Sequence, residues 1–252
     1  RNIYICIMNI LVLFIHSDHT LYNQMIEIQR KYIHSLQNIT SYIVQMNNNI
    51  EEKIKIENDI IYVKGEEKLS NILWKTICAL EYATTQKKYD YVIRTNASTI
   101  LDFKKVNEYF HSAERRELYT GGRILELTWK DPKFGITDET YFDTPFAQGS
   151  LIICSIDIID KILNEKEKLN FSIIDDVSIA IFIKEHTSID LKKMDNTKPS
   201  FCLDNLRKHK LKDYSKERNY FAYRNHRSIK YSWGNRNADL EEMVNQVQCL
   251  YF

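Results

Sequence analysis

The sequence lacks the glycine patterns of the common phosphate-binding loops. Its 252 residues include six glycines and three prolines. They form neither a G-x-x-x-x-G-K-[ST] loop nor a G-x-G-x-x-G turn, the loops that cradle nucleotide phosphates in many enzymes. Their absence argues against a phosphoryl transferase.

A strong charge of either sign and paired cysteines are also missing. The 35 Lys and Arg residues nearly balance 34 Asp and Glu residues, which gives no electrostatic reason to expect a nucleic-acid partner. The five cysteines contain no C-x-x-C pair, and Cys6, Cys78 and Cys154 stand in apolar runs typical of buried thiols. Reduced thiols and a cytoplasmic location are therefore expected.

No apolar run is long enough to cross a bilayer, which takes ~20 residues. The segment 3–15 is apolar but short, and it leads into polar residues instead of a small-residue cleavage site. A buried first strand over 10–15 and a targeting segment both remain open. No membrane span is expected.

The first half alternates strand and helix patterns. Strands are predicted at 10–15, 41–44, 59–63 and 89–93, and helices from Thr20 and over about 67–83. The polar segment 47–58 is read as a loop or a partly helical excursion. This order predicts an α/β fold with a mostly parallel central sheet flanked by helices.

The second half has a long segment with no clean period, 126–146, which we interpret as an acceptor-binding loop. A strand is predicted at 150–154, and helices are predicted at 157–169, 175–184 and 238–250. Since the chain has no repeats or low-complexity linker, we expect one domain over 1–252. Its donor-binding half would be about 1–110, and its acceptor and catalytic half about 111–252.

Polar clusters follow several predicted elements, where open α/β sheets bind ligands. Ser17 and Asp18 follow the first strand, and the run Arg94-Thr95-Asn96-Ala97-Ser98 follows the strand at 89–93. Asp175 and Asp176 open a helix. Each cluster also has a structural interpretation: a turn, a capped turn and a pair of helix caps, respectively.

The order of four segments, 66–76, 89–98, 146–150 and 174–177, resembles the GT-A-type glycosyltransferases of the beta-1,3-galactosyltransferase and fringe kind. The Arg-Thr-Asn-x-Ser stretch is similar to that of short viral or bacterial glycosyltransferases. The resemblance implies a single domain of the nucleotide-diphospho-sugar transferase fold. It also implies a nucleoside-diphosphate sugar as donor, with a UDP-sugar favoured, and a glycan or glycoprotein as acceptor. In a viral protein the location would be the host cytoplasm.

The same resemblance assigns roles by position. Asp176 would be the catalytic base with Asp175 beside it, and Lys75 would face the donor. The predicted donor-binding residues are Ser17, Asp18, Lys75, Arg94, Thr95, Asn96 and Ser98, and the predicted acceptor-binding residues are Gln148, Gly149 and Trp129. In the resembling families the Asp-x-Asp that holds the metal falls at Asn96 and Ser98. Both carboxylates are missing, so a weak or absent requirement for Mn²⁺ or Mg²⁺ is expected unless Asp102 or an acidic residue of 138–143 completes a site.

A base-assisted displacement would invert the anomeric carbon, with Asp176 accepting the proton of the acceptor hydroxyl. The leaving diphosphate would need cations, for which Arg94, Lys75, Arg224, Arg227, Lys230 and Arg236 are candidates. A solvated basic patch is the alternative for the C-terminal group. The competing function is a non-catalytic nucleotide- or sugar-binding module of the same fold. His16, His19 and His34 are expected in turns or on the surface, and the sequence predicts no oligomeric state.

Overall fold

A computed structural model describes residues 8–33, 36–192, 200–202, 220–225 and 236–252. The strands in these residues are β1 (Ile10–Ile15), β2 (Ile39–Asn47), β3 (Ile54–Glu57), β4 (Ile60–Lys64), β5 (Tyr91–Asn96), β6 (Thr99–Leu101), β7 (Tyr119–Gly121), β8 (Ile124–Glu126), β9 (Pro145–Ala147), β10 (Leu151–Ser155), β11 (Leu191–Lys192), β12 (Ser200–Cys202) and β13 (Tyr220–Arg224). The α-helices are α1 (Thr20–Ile33), α2 (Ile72–Gln86), α3 (Phe103–Ser112), α4 (Ile156–Asn164), α5 (Asp175–His186) and α6 (Arg236–Tyr251). Short 3-10 helices lie at Leu69–Asn71, Pro132–Phe134, Glu139–Tyr141 and Lys166–Lys168.

The central sheet has eight strands in the order β11-β7-β10-β5-β1-β2-β4-β3. β5, β1, β2 and β4 run parallel to one another, whereas β10 and the edge strand β3 run antiparallel to their neighbours. Two small sheets, β12-β13-β6 and β8-β9, lie beside it. The predicted α/β class with a mostly parallel central sheet is confirmed.

The first strand is buried on both faces, as its continuous apolar run predicts. Ile10, Val12 and Phe14 belong to one apolar core, whereas Leu11, Leu13 and Ile15 belong to the core on the opposite face. Full burial of an apolar side chain of this size is worth about 1.5–3 kcal/mol. β1 is therefore a central anchor of the fold. Within the described residues, no helix has the length and apolar character to cross a membrane.

The segment 47–58 differs from its prediction. It contains β3, which forms an antiparallel hairpin with β4. Ile54 and Ile56 alternate with the polar residues Lys55 and Glu57, which is the two-residue period of a strand. Asn58 makes the turn with a φ of 56°, a left-handed conformation that asparagine tolerates better than most residues. Helix α3 is a further element absent from the sequence-based prediction.

The C-terminal elements pack on the first half of the chain. β13 pairs with β6, and the ring of Tyr251 in α6 stacks on that of Tyr32 in α1, with centroids 4.3 Å apart. The division into a donor-binding half before about residue 110 and an acceptor and catalytic half after it stays a prediction. In the structure, elements from the two halves pack against each other. This packing brings Arg224 and Arg236, near the end of the chain, to the carboxyl edge of the sheet.

Candidate active site

A cavity of about 480 Å³ lies at the carboxyl edge of β1 and β5. Because β10 is antiparallel to β5, the turn that precedes β10 reaches this edge from the other direction and meets the start of α5. The predicted site residues that line the cavity are Ser17, Lys75, Arg94, Asn96, Ser98, Trp129, Gln148, Gly149, Asp175, Asp176 and Arg224. The fold thus brings together residues from distant segments, while their individual roles stay predictions.

Two predicted site residues of the described part of the chain, Asp18 and Thr95, do not line this cavity. The carboxylate of Asp18 accepts a hydrogen bond from Asn23 Nδ2 at 2.9 Å. Thr95 Oγ1 donates to the carbonyl of Ser150 at 2.8 Å and so joins β5 to the turn before β10. Arg227 and Lys230 lie outside the described residues.

Arg94, in β5, is held by acceptors from two other segments. Its Nε donates to Asp175 Oδ2 at 2.8 Å, its Nη2 lies 2.7 Å from the same oxygen, and its Nη1 donates to the carbonyl of Gly149. The side chains of Arg94 and Asp175 are 10% and 1% exposed, respectively. The planar fork of a guanidinium suits such a multiple contact. The sequence analysis assigned the positive charge of Arg94 to the leaving diphosphate. In the structure, the buried carboxylate of Asp175 already neutralises this charge.

The acidic pair at the start of α5 is directed toward this guanidinium and toward the turn before β10. Ile174 is the N-cap of the helix and makes no side-chain capping bond. Asp175 pairs with Arg94, while Asp176 accepts hydrogen bonds from the amide of Gly149 at 2.8 Å and from that of Val177 at 2.9 Å. The sequence left open that Asp175 and Asp176 are only helix caps. The contact of Asp176 with Val177, in the first turn of α5, fits that role. The contacts with Arg94 and Gly149 reach outside the helix and do not fit it.

The pKa of Asp176 is raised above its ordinary value. Burial is the largest cause and the negative charge of Asp175 is the second, whereas Arg94 and the amides of Gly149 and Val177 act in the opposite direction. A carboxylate whose pKa is moved toward neutrality is a stronger proton acceptor. Asp176 combines this property with a position on the cavity wall.

The Asn96-Ala97-Ser98 turn fits a divalent metal poorly. Asn96 Oδ1 accepts hydrogen bonds from Ser98 N at 3.2 Å, from Ser98 Oγ at 3.0 Å and from Thr99 Oγ1 at 3.0 Å. The oxygen that would replace a carboxylate ligand is thus occupied by three donors, two from Ser98 and one from Thr99 at the start of β6. A hard dication prefers charged oxygens that remain available.

The acidic residues considered as alternative metal ligands have other roles. Asp102 caps α3 by accepting from Lys105 N at 3.3 Å, and Asp138 caps a 3-10 helix by accepting from Thr140 N at 2.9 Å. Asp143 is exposed. Across the described part of the chain, no group of three or more His, Cys, Asp or Glu side chains is arranged to hold a metal. The side chains present do not fit the metal site of the resembling families.

Lys75 in α2 is fully buried, and its side chain contacts the backbone just after β1. Its Nζ donates to the carbonyl of His16 at 2.6 Å and to Glu67 Oε1 at 2.5 Å. Ser17 Oγ donates to the same Glu67 oxygen at 3.1 Å. Burial lowers the pKa of Lys75, and the charge of Glu67 opposes this effect. These two predicted donor residues are therefore connected through Glu67, which the sequence did not single out.

His16 is a residue of the cavity wall, not of the surface. Its side chain is 4% exposed, and its Nε2 lies 2.8 Å from Asn23 Oδ1. Since Asn23 Nδ2 donates to Asp18, its Oδ1 is the acceptor toward His16, so Nε2 carries the proton. Burial lowers the pKa of His16, which favours the neutral ring. Nδ1 is then a bare acceptor, and it has no partner among the described residues.

His16 had a sequence signal, since it directly follows Ile15 at the carboxyl end of β1. The predicted surface or turn location is confirmed for His19, which is exposed. His34 lies outside the described residues.

Two arginines of the C-terminal segment reach the cavity. Arg224 lies opposite Thr99 in the β13-β6 pair, and Arg236 begins α6. Arg236 Nη1 donates to Asp239 Oδ2 at 2.7 Å, and its guanidinium carbon lies 5.4 Å from the ring centroid of Tyr22. Both line the wall that contains Asn96 and Ser98. These two residues are thus part of a cavity and not of a separate surface patch.

Residues of the loop 126–146 also line the cavity. Trp129 is 41% exposed and lies against Phe146, with ring centroids 6.2 Å apart. Phe134 also lines the cavity, whereas Tyr141 and Phe142 pack against the apolar core. The aromatic residues of this loop therefore divide into two groups: Trp129 and Phe134 line the cavity, whereas Tyr141 and Phe142 anchor the loop to the core.

The galactosyltransferase family model matches residues 39–195, well over half of the chain. No curated protein sequence matches this chain. One similar solved structure is a glycosyltransferase involved in glycosylation of the major capsid of PBCV-1, with 11% identity, coverage of 93% of this chain and 99% of that chain, and a TM-score of 0.47. Another is 4-diphosphocytidyl-2C-methyl-D-erythritol synthase from Anaerococcus prevotii, with 11% identity, coverage of 77% and 92%, and a TM-score of 0.40. Both likenesses are distant.

Proposed function

Since this chain belongs to the galactosyltransferase family and is therefore a glycosyltransferase, we propose that it moves a sugar from a nucleoside-diphosphate sugar to a hydroxyl group of a glycan or glycoprotein. The proposed reaction inverts the anomeric carbon, with Asp176 as general base. The observation that carries the proposal is the Asp176 carboxylate, buried at the cavity wall and held by the amide of Gly149 at 2.8 Å.

A sugar hydroxyl is a weak nucleophile at neutral pH, so a carboxylate that takes its proton in the transition state lowers the barrier. Such a base contributes typically 10²–10⁴-fold to the rate. The raised pKa of Asp176 suits this work. As the new bond forms, the proton passes to Asp176 while the bond to the diphosphate breaks on the opposite face of the sugar.

The leaving diphosphate accumulates negative charge, which oriented cations can stabilise. Lys75 and Arg94 are each paired with a carboxylate, and their side chains are 1% and 10% exposed. Arg236 is also paired, with Asp239, but its side chain is 19% exposed. Arg224 and Arg236 line the cavity together with Asn96 and Ser98, so we assign the diphosphate contact to them. No divalent metal is required for this assignment.

The acceptor is assigned to the wall formed by Trp129 and Gln148 with Gly149. An exposed indole offers a flat apolar face to a sugar ring, and the neighbouring amide can orient its hydroxyl groups. This wall is contiguous with Asp176 in the same cavity. A hydroxyl bound there is therefore near the proposed base.

We propose a uridine donor on the resemblance to glycosyltransferases of the beta-1,3-galactosyltransferase kind, for which a UDP-sugar is favoured. His16 lines the same cavity, but its Nδ1 is buried, so we assign no contact with the base to it. The first experiment is therefore a thermal-unfolding panel with UDP, CDP, GDP and dTDP and their sugars.

UDP should raise the melting temperature more than CDP. A ligand at 100 times its Kd adds about 2.7 kcal/mol to the stability of the folded state, which for a chain of this length corresponds to roughly 5–10 °C. A panel in which no nucleotide shifts melting at millimolar concentration would remove the donor assignment. A shift with CDP equal to that with UDP would remove only the choice of uridine.

A further inference from the structure

We propose that Arg94 is a positioning residue for the base Asp176 and not a ligand of the donor. The inference rests on the proposed function, because it concerns how the proposed base is held. Its starting point is that every nitrogen of the guanidinium faces an acceptor inside the protein: Nε and Nη2 face Asp175, and Nη1 faces Gly149.

The contacts of Arg94 lead to Asp176 by two routes. Gly149 accepts from Arg94 through its carbonyl and donates to Asp176 through its amide at 2.8 Å. Asp175 precedes Asp176 in the first turn of α5, so fixing the Asp175 carboxylate also fixes the start of the helix. Arg94 thus joins β5, the turn before β10 and α5 at the point where the base lies.

The need for glycine at position 149 follows from the same contact. Its φ is not in the left-handed region, so backbone conformation does not require a glycine there. A Cβ at this position would instead lie 2.7 Å from Arg94 Nη1 and 3.1 Å from its Cζ. The missing side chain makes room for the guanidinium.

The charge of Arg94 matters as well as its shape. Two buried carboxylates adjacent in sequence repel each other, and a neighbouring cation reduces this cost. The charge of Asp175 raises the pKa of Asp176, whereas that of Arg94 lowers it. Arg94 therefore keeps Asp176 deprotonated at a pH where the isolated pair of carboxylates would take up a proton.

The test measures donor affinity and the pH dependence of kcat separately for Arg94→Gln. Donor Kd, measured by calorimetry with UDP, is expected to stay within about 2-fold of wild type. On the plateau of the pH profile kcat is expected to fall about 10-fold, because Gly149 and the start of α5 lose the contacts that position Asp176. The acid limb should also move to higher pH by about one unit. For a group with a pKa of about 6, this move lowers the deprotonated fraction about 2-fold at pH 7 and about 10-fold well below the pKa.

A second variant adds Asp175→Asn to Arg94→Gln. Because the two side chains shift the base in opposite directions, the double variant should return the acid limb toward the wild-type pH. A merely structural role for Arg94 would not give this compensation. Arg94→Lys keeps the positive charge but lacks the planar guanidinium. If Arg94→Gln does not fold, Arg94→Lys is measured in its place. The acid limb of its pH profile should stay near that of wild type, while its kcat should fall.

The matched control is Arg30→Gln. Arg30 forms a similar two-nitrogen ion pair with Asp59, at 2.8 and 2.7 Å, away from the cavity. It should leave both donor Kd and the acid limb unchanged. A tenfold weaker donor Kd for Arg94→Gln with an unmoved acid limb would overturn the proposal and make Arg94 a donor ligand. Full transfer activity of Asp176→Asn would instead overturn the proposed base, whatever Arg94 does.

Discussion

Replacing Gly149 with alanine tests the packing of the active site through stability, independently of activity. The added Cβ would lie 2.7, 3.1 and 3.3 Å from three atoms of the Arg94 guanidinium. Carbon atoms and their neighbours pack best at about 3.5–4.0 Å. The guanidinium is the end of a flexible side chain and lines the cavity, but moving it away from the Cβ breaks its contacts with Asp175 and Gly149.

The expected cost lies between two limits. Overpacking a well-packed site costs typically ~1–3 kcal/mol, and full loss of a buried ion-pair partner costs about 3–5 kcal/mol. Since Gly149→Ala displaces Arg94 without removing it, we expect a loss of about 1–3 kcal/mol. This corresponds to a melting temperature lower by roughly 3–10 °C.

Urea unfolding of a double-mutant cycle with Arg94→Gln provides the assay. The shorter glutamine leaves room for the Cβ, so alanine at position 149 should cost less than about 0.5 kcal/mol in that background. The coupling energy should then be about 1–3 kcal/mol. Equal costs in the two backgrounds, additive within ~0.5 kcal/mol, would refute the contact as the reason for glycine at this position.

Three further predictions concern function. Transfer should decline as pH falls, with an acid limb above the ordinary carboxyl pKa of about 3.9, because burial and Asp175 raise the pKa of Asp176; a kcat that stays constant to pH 4.5 would contradict this. Donor Kd by calorimetry should change less than ~2-fold in EDTA, since Asn96 Oδ1 already accepts three hydrogen bonds; binding lost in EDTA and restored by Mn²⁺ or Mg²⁺ would contradict it. Trp129→Ala should raise acceptor KM about tenfold, equivalent to ~1.4 kcal/mol, with donor Kd unchanged; an effect confined to the donor would place the indole on the wrong side of the cavity.

The elements with a strong local pattern could be predicted from the sequence. β1 is a continuous apolar run, and α1 has buried residues at helical spacing, including Met25, Ile28 and Tyr32. The hairpin of β3 and β4 could not be predicted. β3 has only four residues, two of them isoleucine, and is too short for its alternating pattern to be distinguished from a loop. Its turn depends on one asparagine with positive φ.

The site was predicted as a set of segments but not as a network. Arg94 and Asp175 are 81 residues apart, and local patterns contain no information on which cation meets which carboxylate. The antiparallel direction of β10, which places Gly149 between them, is set by the tertiary fold. For the same reason the sequence assigned Arg94 to the donor, whereas the structure pairs it with Asp175.

The most direct test of the proposed mechanism is the transfer rate of Asp176→Asn. Asparagine keeps the size of the side chain and an oxygen that can accept from the Gly149 amide, but it cannot take up the acceptor proton. We predict that kcat falls roughly 10²–10⁴-fold while donor Kd stays within about 2-fold of wild type. The matched control is Asp138→Asn at an exposed 3-10 helix cap, which should transfer at the wild-type rate. If Asp176→Asn also transfers within about 3-fold of wild type, Asp176 is not the base and the proposed mechanism is wrong.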